Sequence, residues 1–244
     1  MFRIAVIVPC YNESVRLSPD RWLDFLADPA NAGIHFFFVN DGSTDGTGRV
    51  LDDLCTTSVR AHLFDFEQRR GKAEVIRRVT LDILAGQERE GASFDYVGFW
   101  DADLATPLQE LPAMRRLARE HAFDGVLCSR IRRLGAVIRR RPLRHVAGRV
   151  FATVASLMLA LPVYDTQCGA KIFKAEALSA VMGEPFTSSW VFDVEIFLRM
   201  KRRGFTNLYE HPVSAWTEKP GSKMKLLDVV RIPAELLKIR RRYR

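Results

Sequence analysis

Two aspartates one residue apart, Asp101 and Asp103, close the apolar run of the stretch VGFWDADLATP, residues 97–107. On an extended segment, side chains at i and i+2 face one way, so both carboxylates can address a single ligand. Left alone they repel, and a hard divalent cation resolves the conflict. Such an ion keeps one or two carboxylates and fills its remaining sites with substrate phosphates. The pair therefore suits Mg²⁺ or Mn²⁺ shared with the diphosphate of a nucleotide. The plainer alternative is a solvated turn in which Asp103 caps the helix after Pro107.

Other short stretches carry matching chemistry. In VPCYNE, the Tyr11 ring can stack on a base and Glu13 can bind a ribose hydroxyl, with Pro9 beside them. NDGSTDGT, residues 40–47, has glycines that free a tight loop, Asp45 to cap the next helix, and Asp41 placed to accept from a nucleobase or ribose. An ordinary strand-to-helix turn explains that loop equally well. Lys72 in RRGKAE opens a helix and either reaches a base or phosphate or faces solvent. The chain lacks a GxGxxG fingerprint and a Walker loop, so dinucleotide or ATP binding gains no support.

Positioning these loops requires an alternation of strands and helices. Apolar runs of strand length lie at residues 3–8, 34–40, 60–66, 96–100 and 125–129, with helical patterns near 14–27, 45–56, 72–86 and 108–121. Strands this apolar, alternating with helices, predict an α/β fold with a mostly parallel sheet covered on both faces. Ligands of such sheets sit beyond the carboxyl ends of the strands, where PCYNE, NDGSTDGT, DADLATP and SRIRR all fall. Further on, the pattern predicts a helix over 143–161, a polar loop at 163–173, a helix over 190–204 and an extended segment at 207–216.

The net charge of +8 is local. Residues 130–149 hold eight arginines and no acid, and residues 223–244 hold eight basic residues against Asp228 and Glu235, which leaves the rest of the chain net acidic. Two basic patches on an acidic body suit a phosphate-bearing partner, a lipid headgroup surface or a nucleic acid. The carboxylates at the strand ends would repel a nucleic-acid backbone, so no nucleic acid is expected. The four cysteines show no metal spacing and read as reduced thiols of a cytoplasmic protein. A strand pattern begins almost at the first residue, so no signal peptide is expected. The five histidines read as structural or surface residues. The apolar stretch at 146–162 is interrupted by Arg149 and is short for a membrane span, which needs about 20 residues. It and the basic, helically patterned tail at 223–244 read as buried or interfacial helices.

The motifs VPCYNE, NDGSTDGT, RGKAE, DADLATP and CSR occur in the order found in family 2 glycosyltransferases, which the chain resembles. DTQCGAKIF, WVFDVEIF and GSKM narrow the likeness toward dolichyl-phosphate β-glucosyltransferases and related polyprenyl-phosphate mannosyltransferases. The resemblance implies a GT-A (Rossmann-like) domain over residues 1–222 and a basic amphipathic helical tail over 223–244. Within the domain, 1–129 would bind the nucleotide sugar and 130–222 the acceptor. It implies inverting transfer from a donor of the UDP-glucose or GDP-mannose type. Pro9, Tyr11, Glu13, Val39 and Asp41 would hold the nucleoside; Asp101, Ala102 and Asp103 the ribose, diphosphate and metal, with Asp103 the direct ligand. Arg130, Lys171 and Lys223 would contact phosphates. Asn40 departs from the aspartate usual at that place, and Ala105 departs from the metal-side glutamine of some mannosyl relatives, which favours glucose.

A phosphate acceptor is already anionic at pH 7, so it needs no base. It needs positive potential, which Arg130, Arg132, Arg133, Arg139, Arg140 and Arg141 can supply, arginine forks being suited to phosphate. The expected partners are therefore a nucleotide sugar, a polyprenyl phosphate and the cytoplasmic face of a membrane. A soluble acceptor would instead require a base, for which Asp193 or Glu195 are candidates.

Overall fold

The computed structural model describes residues 1–90, 93–219 and 226–243. In chain order the first half runs β1 (Ile4–Cys10), α1 (Pro19–Ala27), β2 (Ile34–Asp41), α2 (Thr47–Thr57), β3 (Ala61–Phe66), α3 (Lys72–Glu90), β4 (Tyr96–Trp100), α4 (Glu110–His121) and β5 (Gly125–Ser129). The five expected strands are all present. The first helix starts later than its pattern suggests. Residues 14–17 are spent in a turn, where Glu13 O accepts from Arg16 and Leu17 N–H, and Pro19 then opens α1.

The second half contains β6 (Val137–Arg139), α5 (Pro142–Leu159), β7 (Ala170–Lys174), α6 (Ala175–Met182), α7 (Phe192–Arg202), β8 (Leu208–Pro212), β9 (Ala215–Thr217) and α8 (Leu226–Arg242). One sheet holds seven strands in the order β3-β2-β1-β4-β7-β5-β8, and β6 pairs with β9 in a small parallel ribbon. Every neighbouring pair in the large sheet is parallel except those made by β7, which runs against both β4 and β5.

That one reversal matters for the site. Trp100 pairs with Ala170 and Leu127 with Lys171, so the residues entering β7 arrive where β4 and β5 leave the sheet. The polar loop before β7 thus joins the same rim as the loops after β1, β2, β4 and β5.

Two apolar layers cover the sheet. Trp22, Phe36, Phe38, Leu111 and Met114 fill one, and Val75, Ile76, Phe173, Phe197 and Met200 the other. The tail folds as α8 and sets Leu236 and Ile239 into the second layer, so these apolar residues face the body. No helix among the described residues is long and apolar enough to cross a membrane.

Candidate functional site

Asp41, at the last position of β2, is 3% exposed and accepts from the backbone N–H of Arg70 (2.6 Å) and Gly71 (2.9 Å). Its carboxylate therefore shapes the loop that leads into α3. Gly71 takes φ +91°, a conformation a side chain would strain, and this turn delivers Lys72 as the first residue of α3. Lys72 Nζ donates to Asp101 Oδ1 at 2.6 Å, with both side chains partly exposed. Burial opposes the lysine's charge, but Asp101, Asp193 and Asp103 outweigh it and raise its pKa. A cation is thus drawn to the end of β4.

Asp101 and Asp103 do not lie on an extended segment as expected. Leu104 N–H donates to Asp101 O (3.3 Å) and Leu104 takes φ +51°, which makes residues 101–104 a turn. Within it, Asp103 Oδ1 accepts from Ala105 N–H at 3.0 Å. Asp103 is held above the usual carboxylate range by burial and then by the charge of Asp101, while Arg16 and the Ala105 N–H pull the other way. The charge of Asp101 acts on Asp103, so the two carboxylates are close, and a turn, not strand alternation, brings them together.

The loop before β7 closes against them. Asp101 N–H donates to Gly169 O (2.9 Å), and a Cβ on Gly169 would overlap the Asp101 carboxylate itself. Among the described residues no three His, Cys, Asp or Glu side chains converge as a protein-only metal cage. The donor set is a carboxylate pair with one member destabilised by burial and like charge, which fits a hard cation completed by phosphate oxygens.

Arg130 follows β5 and does not stand free on the rim. Its Nε and Nη2 donate to Asp165 Oδ2 (2.6 Å) and Oδ1 (2.7 Å), its backbone N–H adds a third bond, and its guanidinium lies 5.2 Å from the Trp216 ring. Burial penalises both charges, yet the pairing wins, so the Arg130 pKa rises and that of Asp165 falls. Asp101 also acts on Arg130 electrostatically, which places the arginine within the same charge cluster. Glu210 of β8 accepts from the N–H of Tyr164 (2.7 Å) and Asp165 (2.8 Å) and so fixes the loop that grips Arg130.

Lys171, in β7, is 1% exposed and bonds Cys168 O and Asp193 Oδ1, the latter at 2.6 Å. Its charge is turned inward to Asp193, not outward to a phosphate. Glu195, offered above as a base, is fully buried and bonds Thr187, Arg199 and Tyr243. It joins α7 to the α8 end, and a solvent-borne acceptor cannot reach it. Lys223, with the GSKM motif, lies outside the described residues.

On the other flank, Pro9 and Val39 are register partners on adjacent strands. Val39 is fully buried, so only its backbone can face a ligand; Ala102 is 5% exposed. The Arg69 guanidinium carbon lies over the Tyr11 ring, 4.1 Å from its centroid. Glu13 is ion-paired with Arg16, and its N–H donates to Thr47 Oγ1 at 2.8 Å. Asp45 accepts from Ser14 Oγ (2.7 Å) and Thr47 N–H (2.9 Å), which ties this loop to the start of α2 and lowers its pKa to about 2 against burial. Asn40 donates to Asp65 Oδ1 at 2.8 Å, where an aspartate would meet a like charge.

The site thus uses three residues that the sequence pattern did not single out: Asp165, Gly169 and Glu210. Asp165 and Gly169 carried a trace, both lying in the motif DTQCGAKIF, and Glu210 lay unmarked in the extended segment at 207–216.

Residues 5–182 match the family model for Glycosyl transferase family 2. The chain is 28% identical over 242 residues to Glycosyltransferase AglD of Haloferax volcanii, which spans 96% of this chain and 36% of that protein. It is 29% identical over 260 residues to the Dolichyl-phosphate beta-glucosyltransferase of Saccharomyces cerevisiae, over 98% of this chain and 75% of that protein. The chain thus corresponds to about a third of the first relative and three quarters of the second. Among solved structures, glucosyl-3-phosphoglycerate synthase from Mycobacterium tuberculosis, in complex with Mn²⁺, UDP and glucosyl-3-phosphoglycerate, superposes with TM-score 0.64 at 18% identity. That alignment covers 98% of this chain and 80% of that one, and it supports the GT-A fold. With the family match running from β1 to the last residue of α6, the chain belongs to glycosyl transferase family 2.

Proposed function

We propose that this protein moves a hexose, glucose in preference, from a nucleotide sugar to a polyprenyl or dolichyl phosphate, with inversion, at the cytoplasmic face of a membrane. The observation that carries the reading is the 2.6 Å bridge from Lys72 to Asp101 beside a destabilised Asp103. It marks a place where cationic charge meets paired carboxylates at a strand end. A relative named for dolichyl-phosphate glucosylation over nearly the whole chain supports the acceptor, and a fold neighbour bound to UDP and Mn²⁺ supports the donor class.

In this reading the nucleoside lies against the ends of β1 and β2, with Tyr11 and Arg69 over the base and Pro9, Glu13 and the Val39 backbone at its edge. Asp41 acts by holding the Arg70–Gly71 turn, and so Lys72, in place. Asp101, Ala102 and Asp103 face the ribose and diphosphate. Asp103 would hold Mg²⁺ or Mn²⁺, and the bound ion would neutralise charge on the departing diphosphate. Lys72 exchanges its contact with Asp101 for the diphosphate and adds to that neutralisation. The acceptor phosphate oxygen attacks the anomeric carbon as its bond to the diphosphate breaks, and no proton has to be removed. Arg130, oriented by Asp165, is one contact for the acceptor phosphate, and the exposed Arg132, Arg133, Arg139 and Arg141 supply the positive potential that lets one anion approach another. Lys171 contributes by fixing Asp193, and Lys223 is a further phosphate contact.

A soluble acceptor retains only Asp193 as a base, and Asp193 is buried and ion-paired to Lys171. The test is transfer from UDP-glucose and GDP-mannose, with Mg²⁺ or Mn²⁺, to a polyprenyl phosphate. A lipid-linked glucose is the expected product. Nucleotide binding with transfer only to water-soluble acceptors would overturn the reading.

A further inference from the structure

Helix α5 carries two opposite apolar faces, with Arg149, Thr153 and Ser156 on a narrow polar stripe between them. Ala152, Ala155 and Leu159 are buried against the body. On the opposite side Val146, Val150, Val154 and Leu157 are 60%, 61%, 48% and 77% exposed. Spacings of four, four and three residues put these on one stripe. Arg149 does not break that stripe: its guanidinium lies 3.4 Å from the Tyr164 ring and donates to Tyr164 O at 2.8 Å. A helix with one apolar face packed on the body needs no second one, and a contiguous exposed apolar face marks an interaction surface.

The start of the helix is basic. Arg132, Arg133, Arg139 and Arg141 are exposed, and Arg139, Arg140, Arg141 and Lys219 line a recess of about 440 Å³ with Glu218 as its single acid. An apolar stripe continuous with an arginine collar matches an anionic bilayer in both of its chemistries. A second copy of this chain would match the stripe alone. The helix is also wired to the site, because Tyr164, which Arg149 holds, adjoins the Asp165 that grips Arg130.

We propose that the outward face of α5, with the arginines at its start, docks on an anionic lipid bilayer and turns the Arg130 side of the site toward it. The assignment deepens the polyprenyl-phosphate reading and rests on it only for its purpose.

The test is flotation of the full chain with phosphatidylcholine vesicles, with and without phosphatidylglycerol. Binding to the anionic vesicles is expected, with weaker binding to the neutral ones. A Val150→Ser, Val154→Ser, Leu157→Ser variant should lose roughly tenfold or more in vesicle affinity. The same variant should keep UDP binding and transfer to polyprenyl phosphate dissolved in detergent. Arg139→Ser and Arg141→Ser should each weaken vesicle binding about fivefold. Equal binding by the serine variant, no binding at all, or a wild-type dimer that the serine variant dissociates would each overturn the proposal. If vesicles bind as expected but no lipid-linked sugar forms in detergent, the acceptor reading fails and the docking face stands.

Discussion

Arg130 at the end of β5 and Asp165 in the loop before β7 meet fork to fork, at 2.6 and 2.7 Å, with both side chains 11% exposed. The reversal of β7 brings them together across 35 residues of chain. Neither charge is stable there without the other, and the pair sits inside the electrostatic reach of Asp101.

Removing one partner strands the other. Asp165→Ala should therefore cost on the order of 3–5 kcal/mol of stability, read from urea unfolding. A double Asp165→Leu, Arg130→Met change should cost clearly less while still abolishing transfer. If the single and double variants were equally stable, the arginine would not depend on this partner.

Gly169 leaves room for the Asp101 carboxylate. Gly169→Ala must push that carboxylate away from Lys72 and from Asp103. We expect at least tenfold weaker Mn²⁺-dependent UDP binding by calorimetry, the scale on which displacing a group beside a metal ligand acts. Unchanged metal dependence would mean that Asp101 does not have to lie where it does.

Glu110, at the start of α4, accepts from His211 (2.8 Å) and from Ser214 N–H and Oγ (2.8 and 2.5 Å). Burial alone would raise its pKa; these bonds reverse that and bring it down from 4.5 to about 2. A carboxyl lowered on folding adds stability above its unfolded value, and that contribution is lost as pH falls through the folded one. Glu110→Gln should cost roughly 2–3 kcal/mol at pH 7, and the difference from wild type should shrink between pH 4.5 and about 2. Denaturant midpoints across that window check it; a gap independent of pH would contradict it.

Much of the fold was legible because the first five strands are continuous apolar runs ended by turn residues, and the parallel-sheet rule pointed at the loops beyond them. What stayed hidden was long-range. The run AKIF was absorbed into a polar loop, so β7 and its reversal were missed, and with them the arrival of Asp165 and Gly169 at the rim. Alternation along a strand suggested how Asp101 and Asp103 share a ligand, but the positive φ of Leu104 shows a turn instead. Position at a strand exit suggests Asp41 as a ligand contact, the family likeness suggests Lys171, and residue type suggests Glu195 as a base. Arg70 lies 29 residues from Asp41, Asp193 22 from Lys171 and Tyr243 48 from Glu195, and these contacts make all three braces. Among these braces, only the Glu195–Arg199 pair, at i and i+4 on one helix, is visible in a window of sequence; the partners farther away leave no periodic trace.

The central claim is that Asp103 holds the metal of a nucleotide diphosphate. Asp103→Asn keeps an acceptor for the Ala105 N–H and removes a charge that burial and Asp101 already disfavour, so the melting temperature should hold or rise. The decisive measurement is transfer by this variant alongside Mn²⁺-dependent UDP binding. The account predicts a loss of roughly 10³-fold in transfer, of the size seen when one preorganised electrostatic element is removed, with UDP affinity no longer responding to Mn²⁺. Wild-type transfer and an intact metal response in a folded Asp103→Asn protein would contradict it.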